Sequence, residues 1–217
     1  TNISIRFLID ASASMNHQDA NYTKIEYARY LAAALAYLAN LQGDAIGLYV
    51  FKEKGIYALA PKQSYQHLNR LFYQLEQIEP GGKFTNPIHY KELYAGTQKK
   101  ELVVFITDMY EHDTELMKLL ETLNARHEVL VFHLMAANEM ELDFKGYSTF
   151  EDFETGQSIE IDPVIAKESY QQKLNDYLEQ TRIKLLDRRI YYRLMRTDAP
   201  LDQALRDFLN QRNKLKY

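Results

Sequence analysis

Two kinds of apolar spacing alternate along the chain. "ISIRFLID" (3–10) begins with loose alternation and turns continuously apolar, as a strand buried on both faces does. "TKIEYARYLAAALAYLANLQ" (23–42) has the helical period, with Ile25, Ala28, Leu31, Leu35, Leu38 and Ala39 on one side and Gly43 and Asp44 as its stop. "AIGLYVF" (45–51) predicts a second strand. The turn "KEKG" then leads into "IYALAP" (56–61), close enough for a hairpin. That makes the third strand antiparallel, and Pro61 suits it to a sheet edge.

The alternation continues. Residues 64–79 predict a helix with Leu68, Leu71, Phe72 and Leu75 inward, and "PGGKFTNP" (80–87) is the most loop-like stretch, leading into a short helix to about Tyr94. "ELVVFITD" (101–108) is a second buried strand that ends in aspartate. A helix at 113–126, a strand at 128–135, a surface hairpin at 147–161, a helix from Pro163 to about Arg189, a strand at 190–197 and a helix at 200–215 follow. The expected fold is α/β: a doubly wound, mostly parallel six-stranded sheet with one antiparallel edge strand and helices on both faces.

Composition narrows the function. The 217 residues are 46% hydrophobic and 26% charged, which suits one large domain over 1–217 without repeats or linkers. A net charge of −4 gives no electrostatic footprint for nucleic acid. The absence of cysteine excludes disulfides, thiolate metal sites and a cysteine nucleophile. With no apolar run of about 20 residues and no signal peptide, the expected location is cytoplasmic. The chain starts on Thr1 and is in a strand by Ile3, so it reads as a segment of a longer protein lacking its N-terminal part.

Two strands end in aspartate, and in doubly wound sheets ligands bind at the carboxyl ends of the strands where the winding reverses. If strands one to three wind one way and four to six the other, Asp10 and Asp108 face each other across that crevice. Carboxylates so placed repel unless one is protonated or a cation lies between them. Ser12 and Ser14 leave the first strand, and the loop holding Thr85 can reach the same place. Asp10, Ser12, Ser14, Thr85 and Asp108 form an all-oxygen set suited to Mg²⁺ or Mn²⁺, with a position left open for an Asp or Glu of a partner protein.

These residues resemble a known family. "FLIDASASM", "KIEYARYLAAALAYLANLQGDAIGLYVF", the "GG…T" loop and "VVFITD" are similar to a von Willebrand factor A-type domain with its metal-ion-dependent adhesion site. The long helix-strand phrase and the tail from "STFEDFETGQSIEIDP" to "TDAPLDQALRDFL" resemble the bacterial branch catalogued as domain of unknown function fifty-eight, often encoded beside MoxR-type AAA+ ATPases. The resemblance implies a metal-dependent protein-binding module, not an enzyme. It implies Ser12, Ser14 and Thr85 as direct or near ligands, Asp10 and Asp108 binding directly or through water, and a MoxR-type ATPase as partner. In this branch the threonine usually follows the glycine pair directly, whereas Lys83 and Phe84 intervene here.

Two rival readings stay open. One is a metal-dependent phosphohydrolase or phosphotransferase with Asp10 as nucleophile. It is weakened by Ser12, which stands where the common aspartyl-phosphate pattern has a second Asp. The other is a scaffold whose metal site is vestigial. Elsewhere, Asn16, His17 and Asp19 predict a solvated loop, Asp113 a helix cap, and His112 a weak candidate base near the metal. His67, His89, His127 and His133 have no ligand spacing and read as structural or surface. Tyr27, Tyr30 and Tyr37, on one side of the first helix, with Tyr191 and Tyr192, are expected to pack between helix and sheet. "FEDFETG" is expected to be a solvated acidic face.

Overall fold

The computed structural model describes residues 2–19, 21–85, 89, 90, 93, 99–110, 115–142, 148–151 and 155–214. The elements run β1 (Ser4–Asp10), α1 (Lys24–Leu41), β2 (Ala45–Lys52), β3 (Gly55–Lys62), α2 (Tyr65–Glu76), β4 (Leu102–Thr107), α3 (Glu115–Asn124), β5 (Glu128–Met135), α4 (Ala137–Glu141), β6 (Ser148–Glu151), β7 (Ser158–Ile161), α5 (Pro163–Asp187), β8 (Tyr191–Arg196) and α6 (Asp202–Lys214). Six strands form one sheet in the order β3-β2-β1-β4-β5-β8, while β6 and β7 pair separately as an antiparallel hairpin. Within the large sheet only β3 is antiparallel to its neighbour. The winding therefore reverses between β1 and β4, as the sequence predicts.

Strand alternation sorts the core into two layers. Ile5, Phe7 and Ile9 of β1 pack with Leu31 of α1, Leu71 of α2 and Phe208 of α6. Leu8 points the other way, toward Phe51, Phe105, Leu119 and Leu120 of α3 and Leu185 of α5. The residues that form both layers are almost wholly buried. Truncating Phe7 or Phe105 to Ala would cost about 3–5 kcal/mol.

The pairing of β3 with β2 is irregular at one end. Its register with β2 shifts between Ile46 and Leu48. A Cβ at Gly47 would come within 2.9 Å of the Pro61 ring and 2.8 Å of the Leu59 carbonyl, so only glycine lets the bulged strand approach.

At the amino ends of the strands, buried charges are closely paired. Arg212 reaches from α6 to Asp44, which precedes β2, donating from Nε to Oδ2 and from Nη2 to Oδ1, the latter at 2.6 Å. Asp44 Oδ1 also accepts the Ile3 N–H at 3.1 Å. Arg6 Nε lies 2.6 Å from Glu101 Oε2, its Nη1 donates to the Leu93 carbonyl, and its guanidinium sits 5.1 Å from the Tyr49 ring centre.

Two short elements were not expected: a 3-10 turn at Ala13–Asn16 and the five-residue α4. Neither is long enough to show a period. Most of the short helix expected before β4 lies outside the described residues, although Tyr90 and Leu93 are buried in the second layer.

Candidate functional site

Because β1 and β4 are parallel neighbours, with Ile9 beside Ile106, Asp10 and the residues after Thr107 emerge together at the carboxyl edge. Asp10 is fully buried. Its Oδ1 accepts the Ser12 N–H at 2.9 Å, and its Oδ2 accepts the Thr107 hydroxyl at 2.7 Å. Met15, also fully buried, pins the 3-10 turn and sets Ser12 Oγ 3.1 Å from Ser14 Oγ.

The glycine loop lies directly against this turn. Ala13 N–H donates to the Gly82 carbonyl at 2.8 Å, and Gly81 N–H donates to the Ala11 carbonyl at 2.9 Å. Gly82 has φ +68°, and a Cβ there would meet Glu53 Oε2 at 2.5 Å, so the clamp needs glycine. Phe84 stacks on Phe51 at 5.4 Å with its ring inclined by 10°, which anchors the extra loop length. Thr85 is buried beyond it, and its hydroxyl donates to the Lys52 carbonyl at the end of β2, at 2.7 Å.

Asp108 belongs to a second half of the site. Lys24, in the first turn of α1, places Nζ 2.7 Å from Asp108 Oδ2 and 2.8 Å from Glu139 Oε1 on α4. A reciprocal cap fixes the start of that helix: Glu26 N–H donates to Thr23 Oγ1 at 3.2 Å, and Thr23 N–H to Glu26 Oε2 at 2.8 Å. Asp108 Oδ1 accepts the Tyr110 N–H at 3.2 Å, and Met109 between them is held at φ 56°, a strained conformation for a branchless but bulky side chain.

The electrostatics of the halves differ. Burial, and then the charge of Asp108, raises the Asp10 carboxyl to about 6 despite its bonds to Ser12 and Thr107. Burial pulls Lys24 down, but Asp108 and Glu139 outweigh it and leave the ammonium above its ordinary value. His133, buried behind Asp108, is pushed down to about 4 by burial, and its Nδ1 lies 2.8 Å from the Tyr192 hydroxyl. It is a neutral packing group.

The donor set fits a small hard cation on the Asp10 side. The 3.1 Å between the two serine oxygens matches the roughly 3 Å between neighbouring oxygens around Mg²⁺ bonded at about 2.1 Å. Among the described residues no three His, Cys, Asp or Glu side chains cluster as ligands, so the hydroxyls are indispensable to such a site. The structure thus brings Asp10, Ser12 and Ser14 together, leaves Asp108 on an ammonium, and turns Thr85 toward a carbonyl.

Sequence reasoning missed Lys24, Thr107 and Glu139. Lys24 carried a signal, since with Ala28, Leu31 and Leu35 it continues the inward stripe of α1 at spacings of four, seven and eleven. A lysine in phase with a core stripe needs an acidic partner. The tyrosine expectation also needs correction. Tyr27 is buried and bonds the Ala199 carbonyl at 2.9 Å, but Tyr30 and Tyr37 are 57% and 49% exposed, because the wide side they share with Tyr27 extends beyond the sheet-facing stripe. His17 and Asp19 are not simply solvated: His17 Nε2 lies 2.8 Å from Asn138 Oδ1, and Asp19 Oδ2 accepts the Asn138 N–H at 3.2 Å. His67 and His127 bond backbone groups, as structural histidines do. His112, Asp113 and residues 152–154 of the acidic hairpin lie outside the described residues.

The family model described as protein of unknown function DUF58 matches residues 2–180. No curated protein matches the chain by sequence. Among solved structures, the chain is similar to the conserved hypothetical protein BatB from Bacteroides thetaiotaomicron, with 17% identity, a TM-score of 0.64 and 99% of each chain covered. It is similar to an aerotolerance-related membrane protein from Bacteroides fragilis, with 17% identity, a TM-score of 0.63 and coverage of 98% of this chain and 100% of that one. It also matches the SpRpn10 VWA domain, with 11% identity, a TM-score of 0.50 and coverage of 97% and 95%. At such identities the likeness establishes the fold, which is von Willebrand A-like.

The expected cytoplasmic location does not stand, since this fold occurs in a protein named for its membrane. That expectation rested on the lack of a long apolar run and of a signal peptide in this stretch, which does not say where the domain is held. Among the described residues no helix is long and apolar enough to cross a membrane. Two buried strands ending in aspartate at the reversal of a six-stranded sheet, and a match over most of the length, agree: the chain belongs to the DUF58 family.

Proposed function

We propose that this domain is a divalent-metal-dependent protein-binding module that captures an acidic side chain of its partner. One observation carries the reading. Asp10 is wholly buried, yet among the described residues its hydrogen-bond donors are the neutral Ser12 N–H and Thr107 hydroxyl. A buried carboxylate without a cationic neighbour of its own is costly, and the serine oxygens beside it complete a place for a cation.

Asp10, Ser12 and Ser14 would hold the ion, with Thr85 and Asp108 behind them. When bound, Mg²⁺ or Mn²⁺ supplies positive charge and a free valence for a carboxylate oxygen. The chain's own part is to keep the two hydroxyls paired, to orient Asp10 through Thr107, and to exclude water around it. Exposed Tyr30 and Tyr37 on α1 add the kind of aromatic surface that protein interfaces favour. The family resemblance makes a MoxR-type AAA+ ATPase the partner to test. Asp10 as a phosphoryl-accepting nucleophile is disfavoured because Ser12 stands where aspartyl-phosphate chemistry commonly has a second Asp.

The test is capture of the partner ATPase by the wild-type domain in Mg²⁺ and in EDTA, beside Asp10→Asn. Loss of capture in EDTA and in the variant is expected. Equal capture in all three conditions would overturn the reading and favour the second one, a metal-free scaffold, whose specific support is the ammonium of Lys24 already lying on Asp108.

A further inference from the structure

We infer that Lys24 is a built-in rival of the divalent ion: its ammonium holds Asp108, and Asp108 joins a bound cation only when Lys24 lets go. The inference rests on the metal reading above and adds the residue that regulates it.

The geometry is that of a tether rather than a casual surface pair. Lys24 is 4% exposed and bridges two carboxylates on different elements, at 2.7 and 2.8 Å. Both ends are braced. The cap at Thr23 fixes the first turn of α1. Glu139 is held by the Ala136 N–H on its Oε2 at 2.8 Å, and by the Tyr170 hydroxyl on its carbonyl at 2.6 Å. The bonds from His17 and Asp19 to Asn138 join the same short α4 to the loop that carries Ser12 and Ser14. Lys24, its second anchor and the serine loop are thus one connected unit.

Charge and residue type point to exchange rather than permanence. Asp108 and Glu139 take up the one ammonium, and Asp10 beside Asp108 is bonded to neutral donors, so this corner is short of positive charge. The permanent pair at the other end of the sheet uses arginine, whose planar fork locks onto both oxygens of Asp44. Lysine is a single mobile point charge on a flexible stem. A divalent ion at Asp10, Ser12 and Ser14 repels that point charge, and Glu139 is where the ammonium retreats. Occupancy of the site is thereby coupled to α4 and to the loop pinned on it.

The test compares Mn²⁺ binding by calorimetry for the full-length wild type, Lys24→Met and Lys24→Arg, and follows the side-chain ¹⁵Nζ resonance of Lys24 in the wild type during Mg²⁺ titration. Lys24→Met removes a positive charge that opposes the ion and holds Asp108 from it, so it is expected to bind Mn²⁺ about tenfold tighter, with Lys24→Arg near wild type. The Lys24 resonance should shift in step with Mg²⁺ occupancy and reach a plateau as the site saturates. Wild type that binds Mn²⁺ with an unmoved Lys24 resonance, or with unchanged affinity in Lys24→Met, overturns this inference and leaves the metal reading intact. Binding by Lys24→Met alone supports the rivalry and overturns metal dependence in the wild type. Absence of binding in both overturns the two together. The wild-type resonance decides the matter even if Lys24→Met fails to fold.

Discussion

The two edges of the sheet bury charge in opposite ways. At the amino edge each cation has an acid beside it: Arg212 clasps Asp44, and Arg6 sits on Glu101 beneath the Tyr49 ring. At the carboxyl edge Lys24 serves both Asp108 and Glu139, while Asp10, bonded to neutral donors, is pushed up to about 6 by burial and then by Asp108. A satisfied edge stabilises the fold. An unsatisfied one spends stability to keep a site ready for something that completes it.

The contrast is sharpest where a charge is removed. Asp44→Ala strands the Arg212 guanidinium in the core, and about 3–5 kcal/mol should be lost in urea denaturation, with Tm falling by roughly 2–4 °C for each of them. Saturating Mg²⁺ acts at the other edge: at about 100 times Kd it should stabilise the wild type by about 2.7 kcal/mol and leave Asp10→Asn unmoved. Without metal, Asp10→Asn itself should change stability by no more than about 1 kcal/mol, because the amide keeps an acceptor for Ser12 or Thr107 and sheds a buried charge. Equal losses in Asp44→Ala and Asp10→Asn would erase the difference between the edges.

The smallest effect concerns pH at the amino edge. Burial, and then Arg6 and Arg126, holds His127 below its ordinary 6.5, and its Nδ1 accepts the Glu101 N–H at 3.3 Å. The unfolded chain binds that proton more readily, so the stability is present above about pH 6.5 and declines as pH falls through and below it. His127→Gln should flatten this slope in denaturation curves measured between about pH 7 and 5.

Much of this was legible in residue order. Continuous apolar runs marked β1 and β4, their terminal aspartates marked the carboxyl edge, and the short turn before Gly55 gave the antiparallel β3. What escaped were contacts that join distant residues through charge. Lys24 and Asp108 are 84 positions apart, and Arg212 and Asp44 are 168 apart. Both cations nevertheless sit in phase with core residues: Lys24 with Ala28 and Leu31, and Arg212 with Phe208 and Ala204. A charged residue in a stripe of apolar ones announces a buried counterion without saying which. Phe84 was legible only as an interruption before Thr85, because its stacking on Phe51 depends on a sheet position that local sequence does not encode.

The bulged margin of β3 has a consequence for recognition. Pro61 offers no N–H there, and the shifted register at Gly47 spoils the even row of donors and acceptors that an incoming extended peptide needs. An extended visitor meets a regular strand edge only from Gly55 to Leu59, short of the bulge. On the function proposed above, recognition falls to side-chain chemistry at the opposite edge of the β-strands, and a partner is selected by the group it presents.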